Sequence, residues 1–190
     1  LEMEGFEADD VLGSVARIAA EQGLGVKIVT GDRDLLQLVN KRTVVYLAGD
    51  DQNYIKDEDV VKKLGVPPKQ VVDYKALVGD KSDNIPGVSG VGEKTAAKLI
   101  TAYGGLDGIF ANLAAQPPKL RENLAANEAH ARRNLELMIL RRDAPVSVDF
   151  DALSMQPALL DRYLSAAAKI ARLVVGDPTI PAGFERYTAL

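Results

Sequence analysis

Val26-Lys27-Ile28-Val29-Thr30-Gly31-Asp32-Arg33-Asp34 opens the part of the chain that decides the fold. Its first five residues are mostly β-branched and read as a short buried strand. Gly31 ends the run and two carboxylates follow at once. Residues 34–39 then read as a short helix, and residues 43–47 as a second strand. A strand, helix, strand succession indicates a parallel α/β sheet. Upstream, residues 7–22 read as a helix, because Val11, Leu12, Val15, Ile18 and Ala19 recur at helical spacing before Gly23 and Gly25 stop it. Residues 48–53 form a Gly/Asp-rich turn.

Past residue 56 the pattern becomes helical. Asp57 is placed to cap a helix over residues 57–64, which Gly65 ends. Pro67 and Pro68 start another, through residue 78. Residues 79–92 are a loop rich in Gly, Asp, Asn, Ser and Pro. Residues 93–103 form a helix closed by Gly104-Gly105, and shorter helices follow over 106–114, 118–126 and 128–142. The tail holds one apolar helix, roughly 158–175, before a Pro/Gly-rich end. The expected divisions are an α/β part over 1–56, a helical part over 57–150 and a tail over 151–190.

Composition narrows the chemistry. The 190 residues include 23 Lys+Arg and 27 Asp+Glu, a formal net charge of −4, with no Cys, no Trp and one His, His130. Without Cys there is no disulfide framework, Cys-ligated zinc site or thiol nucleophile. With a single His, any metal must be held mainly by oxygen, which indicates a hard cation. No apolar run is long enough to span a membrane, and no signal peptide opens the chain. The chain starts at Leu1 rather than Met and is expected to be a fragment. The average charge also hides a division. Residues 1–60 carry 6 basic and 13 acidic side chains, a net of −7. Residues 61–142 carry 13 basic and 8 acidic, a net of +5, and the remainder a net of −2.

Three acidic clusters stand at the ends of elements. Glu7, Asp9 and Asp10 begin the first helix, Asp32 and Asp34 follow a strand, and Asp80 and Asp83 sit in the Gly-rich loop. Ligands of an open parallel sheet gather beyond the carboxyl ends of its strands, where Asp32 and Asp34 lie. Acids in a first helical turn also complement the helix dipole, and Asp-x-Asp after a strand is also common turn chemistry. Three such clusters in a chain without competing ligands favour Mg²⁺ or Mn²⁺. Two ions about 3.5–4 Å apart would neutralise the carboxylates, polarise a phosphodiester and activate water.

The most specific stretch is Gly87-Val88-Ser89-Gly90-Val91-Gly92-Glu93-Lys94-Thr95-Ala96-Ala97-Lys98-Leu99. Glycines permit close backbone approach and lead straight into a helix N-terminus, where free N–H groups and the dipole favour phosphate. Lys94 and Lys98 share one helical face. Gly87, Gly90, Val91, Gly92, Lys94, Thr95 and Lys98 therefore form a candidate grip on a nucleic-acid backbone, with no side chain evident for reading bases. The glycine order, G-x-x-G-x-G, matches neither the dinucleotide fingerprint nor the Walker loop.

Residues 5–12 (GFEADDVL), 30–38 (TGDRDLLQL) and 79–87 (GDKSDNIPG) closely resemble the 5′ nuclease family, most of all the 5′–3′ exonuclease domain of bacterial DNA polymerase I. Residues 88–99 resemble that family's helix–three-turn–helix element. The resemblance covers roughly residues 1–150. It implies a PIN-like α/β nuclease core, followed by a SAM-like helical DNA-binding region. It also implies metal-dependent cleavage of flapped, nicked or gapped duplex DNA to 5′-phosphate and 3′-hydroxyl ends, in replication and repair. By match of motifs, Glu7, Asp9, Asp10, Asp32, Asp34, Asp80 and Asp83 are the metal-site carboxylates, with Asp10, Asp32 and Asp34 the catalytic acids. The hairpin would hold the duplex and a K⁺ ion through backbone oxygens. A monomeric unit of a longer DNA polymerase I-like chain is implied, cytoplasmic and associated with the bacterial nucleoid. The family's first strand, with a further Asp, and its helical arch would precede Leu1, so these 190 residues alone are expected to cut weakly or not at all.

Two other readings compete. A non-catalytic module would grip duplex DNA and cut nothing. A hydrolase with an Asp nucleophile would want Thr or Val two residues after Asp34, where Leu36 stands.

Overall fold

A computed structural model describes residues 1–48 and 54–153. Helix α1, Ala8–Glu21, leads to strand β1, Val26–Thr30, and β2, Thr43–Leu47, pairs with it in parallel, Val26 opposite Thr43 and Thr30 opposite Leu47. An isolated antiparallel bridge joins Val45 to Ile55. The connection between the strands is a 3₁₀ turn, Asp34–Leu38, rather than the α-helix expected there. Its Leu35, Leu36 and Leu38 are all buried, which the tighter 3₁₀ winding allows within five residues.

A run of mostly helical pieces follows. Helix α2 is Asp57–Leu64, a 3₁₀ turn Pro68–Gln70 leads into α3, Val71–Val78, and strands β3, Gly79–Asp80, and β4, Ile85–Pro86, form a two-residue antiparallel ladder. Then come α4, Glu93–Tyr103, α5, Leu106–Ala111, α6, Pro118–Ala126, and α7, Glu128–Met138. Lys56 rather than Asp57 is the N-cap of α2, and Asp59 Oδ2 accepts from the Lys56 N–H at 3.2 Å. The expected loop 79–92 thus contains a small sheet. The expected tail helix and most of the 48–53 turn lie outside the described residues. Leu1–Val146 form one compact unit, and a second begins at Ser147. Among the described residues no helix is long and apolar enough to cross a membrane.

Two apolar cores fill the first unit. One gathers Ile28, Leu35, Leu36, Val45, Ile55, Val60 and Val71 around the sheet. The other gathers Leu77, Ile100, Ile109 and Leu124 among the helices. Helix α3 contributes to both and packs on α4 and α7.

The last helix ends at Met138, four residues short of expectation. Long-range hydrogen bonds draw the next residues out as a strap. Gln37 donates to Met138 O at 3.0 Å and accepts from Leu140 N at 3.0 Å. Asp10 Oδ1 accepts from Arg141 N at 2.8 Å, Arg17 Nε donates to Arg142 O at 2.7 Å, and Ser14 Oγ accepts from Ala144 N at 3.0 Å. These bonds satisfy backbone groups that a further helical turn would otherwise have used.

The β3–β4 ladder closes on a glycine crossing. A Cβ on Gly79 would lie 2.4 Å from Gly87 N, and one on Gly87 would lie 2.2 Å from Val78 O. Gly79 also has φ +82°, a left-handed conformation. Gly79→Ala is expected to cost at least about 2 kcal/mol from backbone strain and clash together. Gly25→Ala, whose Cβ would make an ordinary 3.9 Å contact with Arg42 O and whose φ lies outside that region, should stay within about 0.5 kcal/mol. Urea midpoints of the two variants measure the difference.

Candidate metal centre and nucleic-acid interface

The glycine crossing puts the acidic loop beside the end of β1. Asp34 begins the 3₁₀ turn after β1, Asp80 ends β3, and Asp83 lies in the loop between β3 and β4. Oxygens of these three carboxylates all fall within 4.8 Å of one another. Asp32 shapes the approach. Its N–H donates to Thr30 Oγ1 at 2.9 Å, and its Oδ1 accepts from Asp34 N at 2.8 Å, an Asx turn that leaves Asp32 exposed at the rim.

Lys75 stands in the middle. Its ammonium pairs with Asp34 Oδ1 and lies 2.5 Å from Asp80 Oδ2, and all three side chains are mostly buried. Asp34 Oδ1 is buried and takes no hydrogen bond of ordinary geometry; the ammonium is what meets it. Asp80 Oδ1 also accepts from the Ser82 hydroxyl and, at 2.8 Å, from Ser82 N. The hydrogen bond from Lys75, then those from Ser82, hold the Asp80 carboxyl well below the usual carboxylate range. These contacts favour the Asp80 anion. All-oxygen donors at this spacing fit a hard divalent cation, and a lysine ammonium already fills the matching charge.

The first acidic cluster separates by duty. Glu7 is the N-cap of α1, its side chain accepting from the Asp10 N–H while Asp10 Oδ2 accepts from Glu7 N at 3.3 Å, a capping box. With Oδ1 on Arg141 N, Asp10 has a backbone donor on each oxygen. Asp9 has a raised pKa, from burial first and then from the charges of Asp32, Glu7 and Asp10. The structure therefore brings Asp9 into the field of Asp32, while Glu7, Asp9, Asp10 and Asp32 stay outside the close trio.

A cavity of about 650 Å³ opens beside the trio, lined by Asp32, Tyr74, Lys75, Asp80, Lys81 and Glu93 among others. Burial and then the Glu93 charge push the Tyr74 hydroxyl up from its ordinary value. None of Lys75, Tyr74 and Glu93 was expected here. Lys75 had a signal: helix α3, Val71-Val72-Asp73-Tyr74-Lys75-Ala76-Leu77-Val78, is apolar nearly all round, so a charge within it must find a partner. Asp73, the other charge, accepts from Leu106 N at 2.8 Å.

The hairpin follows directly. Val88 N donates to Leu77 O at 2.7 Å, and Val88 and Val91 are buried as anchors. Gly87 is half-buried, while Gly90 and Gly92 are exposed, and Gly92 is the N-cap of α4. Lys94 and Lys98 project from α4, exposed, with Thr95 half-buried between them. Gly90 has φ +75°, and Asn123 of α6 presses on it so closely that a Cβ would sit 2.5 Å from its Nδ2. Two side chains of α7 fix the loop from behind. Asn134, almost fully buried, donates from Nδ2 to Ala76 O at 3.1 Å and Pro86 O at 2.9 Å, and His130 Nε2 donates to Pro86 O at 2.8 Å.

The carboxylate centre thus lies beyond the end of a parallel strand and is joined through one short segment to a glycine hairpin that leads into the N-terminus of α4. Residues 1–65 match the family model "5′-3′ exonuclease, N-terminal resolvase-like domain" and residues 66–161 match "5′-3′ exonuclease, C-terminal SAM fold". The chain belongs to the 5′–3′ exonuclease family. Its fold is a PIN-like, resolvase-like core with a SAM-like helical region. Thermostable DNA polymerase I of Thermus filiformis is 45% identical over 154 residues, covering 80% of this chain and 18% of that protein. DNA polymerase I of Mycobacterium bovis is 46% identical over 156 residues, covering 80% and 17%. Among solved structures, T5 5′-exonuclease with bound zinc has a TM-score of 0.67 at 26% identity, over 73% of this chain and 51% of that one. The chain thus spans under a fifth of those polymerases and about half of the T5 enzyme.

The Asp9 carboxyl is expected to titrate above the ordinary Asp value of about 3.9. Because a raised acid favours the protonated fold, its contribution to stability is present at low pH and is lost as pH rises through the raised value. Asp32→Asn should bring the Asp9 midpoint down but not to the ordinary value, since burial remains. Carboxyl ¹³C NMR of the metal-free protein measures both midpoints.

Proposed function

We propose that this chain is a metal-dependent 5′–3′ exonuclease and structure-specific flap endonuclease. It hydrolyses DNA phosphodiesters to 5′-phosphate and 3′-hydroxyl ends, on flapped, nicked or gapped duplexes arising in replication and repair. One observation carries the reading. The carboxylates Asp34, Asp80 and Asp83 and the hairpin of residues 87–92 are tied into one piece where Gly79 crosses Gly87. A strand held by the hairpin is thereby held at a set distance from the acids.

Asp34, Asp80 and Asp83 would hold one divalent ion, and Asp9 and Asp32 a second, Mg²⁺ or Mn²⁺ in each case. When bound, such ions neutralise the carboxylates, polarise the scissile phosphate and lower the pKa of the attacking water. Glu7 and Asp10 belong to the same set through α1, where the capping box and the Arg141 contact fix the direction of Asp9. Asp10, Asp32 and Asp34 remain the acids assigned to catalysis. Gly87, Gly90, Val91 and Gly92 would bring backbone close to the duplex and hold K⁺ through carbonyl oxygens, and Lys94, Thr95 and Lys98 would bind its phosphates. A nuclease core over 1–56 and a DNA-gripping region over 57–150 fit this division. The unit would act as a monomer within a longer DNA polymerase I-like chain, in the bacterial cytoplasm at the nucleoid. The T5 flap endonuclease solved with DNA and metal ions, similar to this chain at a TM-score of 0.67 and 27% identity over 74% of it and 52% of that protein, supports both partners.

The test is single-turnover cleavage of a 5′-labelled flap oligonucleotide with Mg²⁺, by the full natural polypeptide that carries these residues. Asp32→Asn and Asp83→Asn should each lower the rate at least about 100-fold through lost charge stabilisation. Parental rates in both variants would remove the metal assignment. Tight flap binding without cutting, in Mg²⁺ and in Mn²⁺, would favour the binding-module reading instead. Replacing Lys94 and Lys98 with Glu should weaken binding alike for all sequences, and reduce the salt slope by about 2 as two phosphate contacts are lost.

A further inference from the structure

The Lys75 ammonium meets both Asp34 and Asp80 at once. We propose that Lys75 is an exchangeable counter-ion: its ammonium balances the carboxylate cluster of the metal-free protein and withdraws when a divalent cation binds. This rests on the reading of Asp34, Asp80 and Asp83 as a divalent-ion site.

The ammonium and a metal would compete for the same two carboxylates. The ammonium meets Asp34 Oδ1 and Asp80 Oδ2, and those two residues with Asp83 are the trio whose oxygens lie within 4.8 Å. A metal drawing those carboxylates together and an ammonium seated between them oppose one another sterically and by charge. Without either, two mostly buried carboxylates would face each other uncompensated, which favours protonation of one of them. The ammonium therefore keeps the site ionised and ready.

The residue type and its surroundings suit exchange. Lysine carries a compact charge on a flexible four-carbon stem, whereas a guanidinium would lock on by a planar fork. Lys75 also lines the adjoining cavity of about 650 Å³, where the Glu93 carboxylate offers another partner. The displaced ammonium thus has somewhere to go without unfolding α3. Metal affinity in this scheme is lower than the bare acids would give, since the cation must displace a resident charge.

Mn²⁺ binding, followed by the electron paramagnetic resonance of free Mn²⁺, tests the exchange on wild type, Lys75→Met and Lys75→Arg. Lys75→Met is expected to bind Mn²⁺ at least about tenfold more tightly, the size of effect that one adjacent unit charge has on a neighbouring site. It should also melt lower than wild type in EDTA and gain more in melting temperature from Mn²⁺. Lys75→Arg should bind no tighter than wild type. Equal or weaker binding by Lys75→Met, beside a wild type that binds, overturns the exchange and leaves the metal reading standing. No Mn²⁺ binding by either protein removes the metal reading, and the exchange with it. A second measurement needs no variant to fold in EDTA. In wild type, the Lys75 ¹⁵Nζ resonance should move to the position of free lysines as Mg²⁺ saturates the site. A signal unmoved at saturation overturns the proposal.

Discussion

Asp34 and Asp80 come from different elements and meet in a mostly buried place, and the ammonium of Lys75 is what lets them meet. At an effective dielectric of about 20, two like charges within 4.8 Å of each other repel by about 3.5 kcal/mol or more. A repulsion of that size is a large share of the net stability of a domain. The ammonium reverses its sign. The helix that supplies Lys75 also gives Val71 to the core of the sheet and Ala76 and Leu77 to the core of the helices. The charged centre and both cores therefore depend on the placement of one eight-residue helix, α3.

Placement of that helix is passed on through backbone. Leu77 O accepts from Val88 N, Ala76 O accepts from Asn134, and Gly79 crosses Gly87 with no room for a side chain on either. A loop pinned at its neck by backbone contact moves less than one held by long surface side chains, because there are no rotamers to change. Pro86 O accepts from both Asn134 and His130 and fixes the same neck from the side of α7. The distance from the acids to the hairpin is thus set by a few covalent and hydrogen-bonded links.

Features that rest on neighbours in sequence were legible. Both strands end where read, because β-branched runs lie between glycines and polar turns, and α4 runs between Gly92 and Gly104 as expected. The carboxylate clusters also stood out, since each sits at the end of an element. What depended on distant partners was hidden. Residues 139–142 carry a good helical pattern, yet Gln37, Asp10 and Arg17 pull them into a strap. The two-residue ladder of β3 and β4 is too short for any periodicity to announce it. Lys75 stands outside the acidic clusters in sequence, although a lone base in an apolar helix is itself a demand for a counter-charge.

Asp9 and Asp10 show why adjacency in sequence is a weak guide to shared duty. Successive residues on a helix point about 100° apart, since a turn takes 3.6 residues. At the start of α1 that rotation sends the two carboxyls to different partners. Asp10 turns to backbone donors, Glu7 N and Arg141 N, and so holds the helix start and the strap together. Asp9 is left with burial and the charge of Asp32, and with a raised pKa as the result. A carboxyl whose oxygens are each engaged by an N–H is stabilised as an anion and has less to offer a cation. One that is partly desolvated among like charges gains most when a cation arrives. Asp9 therefore has more to offer a cation than Asp10, although the two are neighbours in sequence.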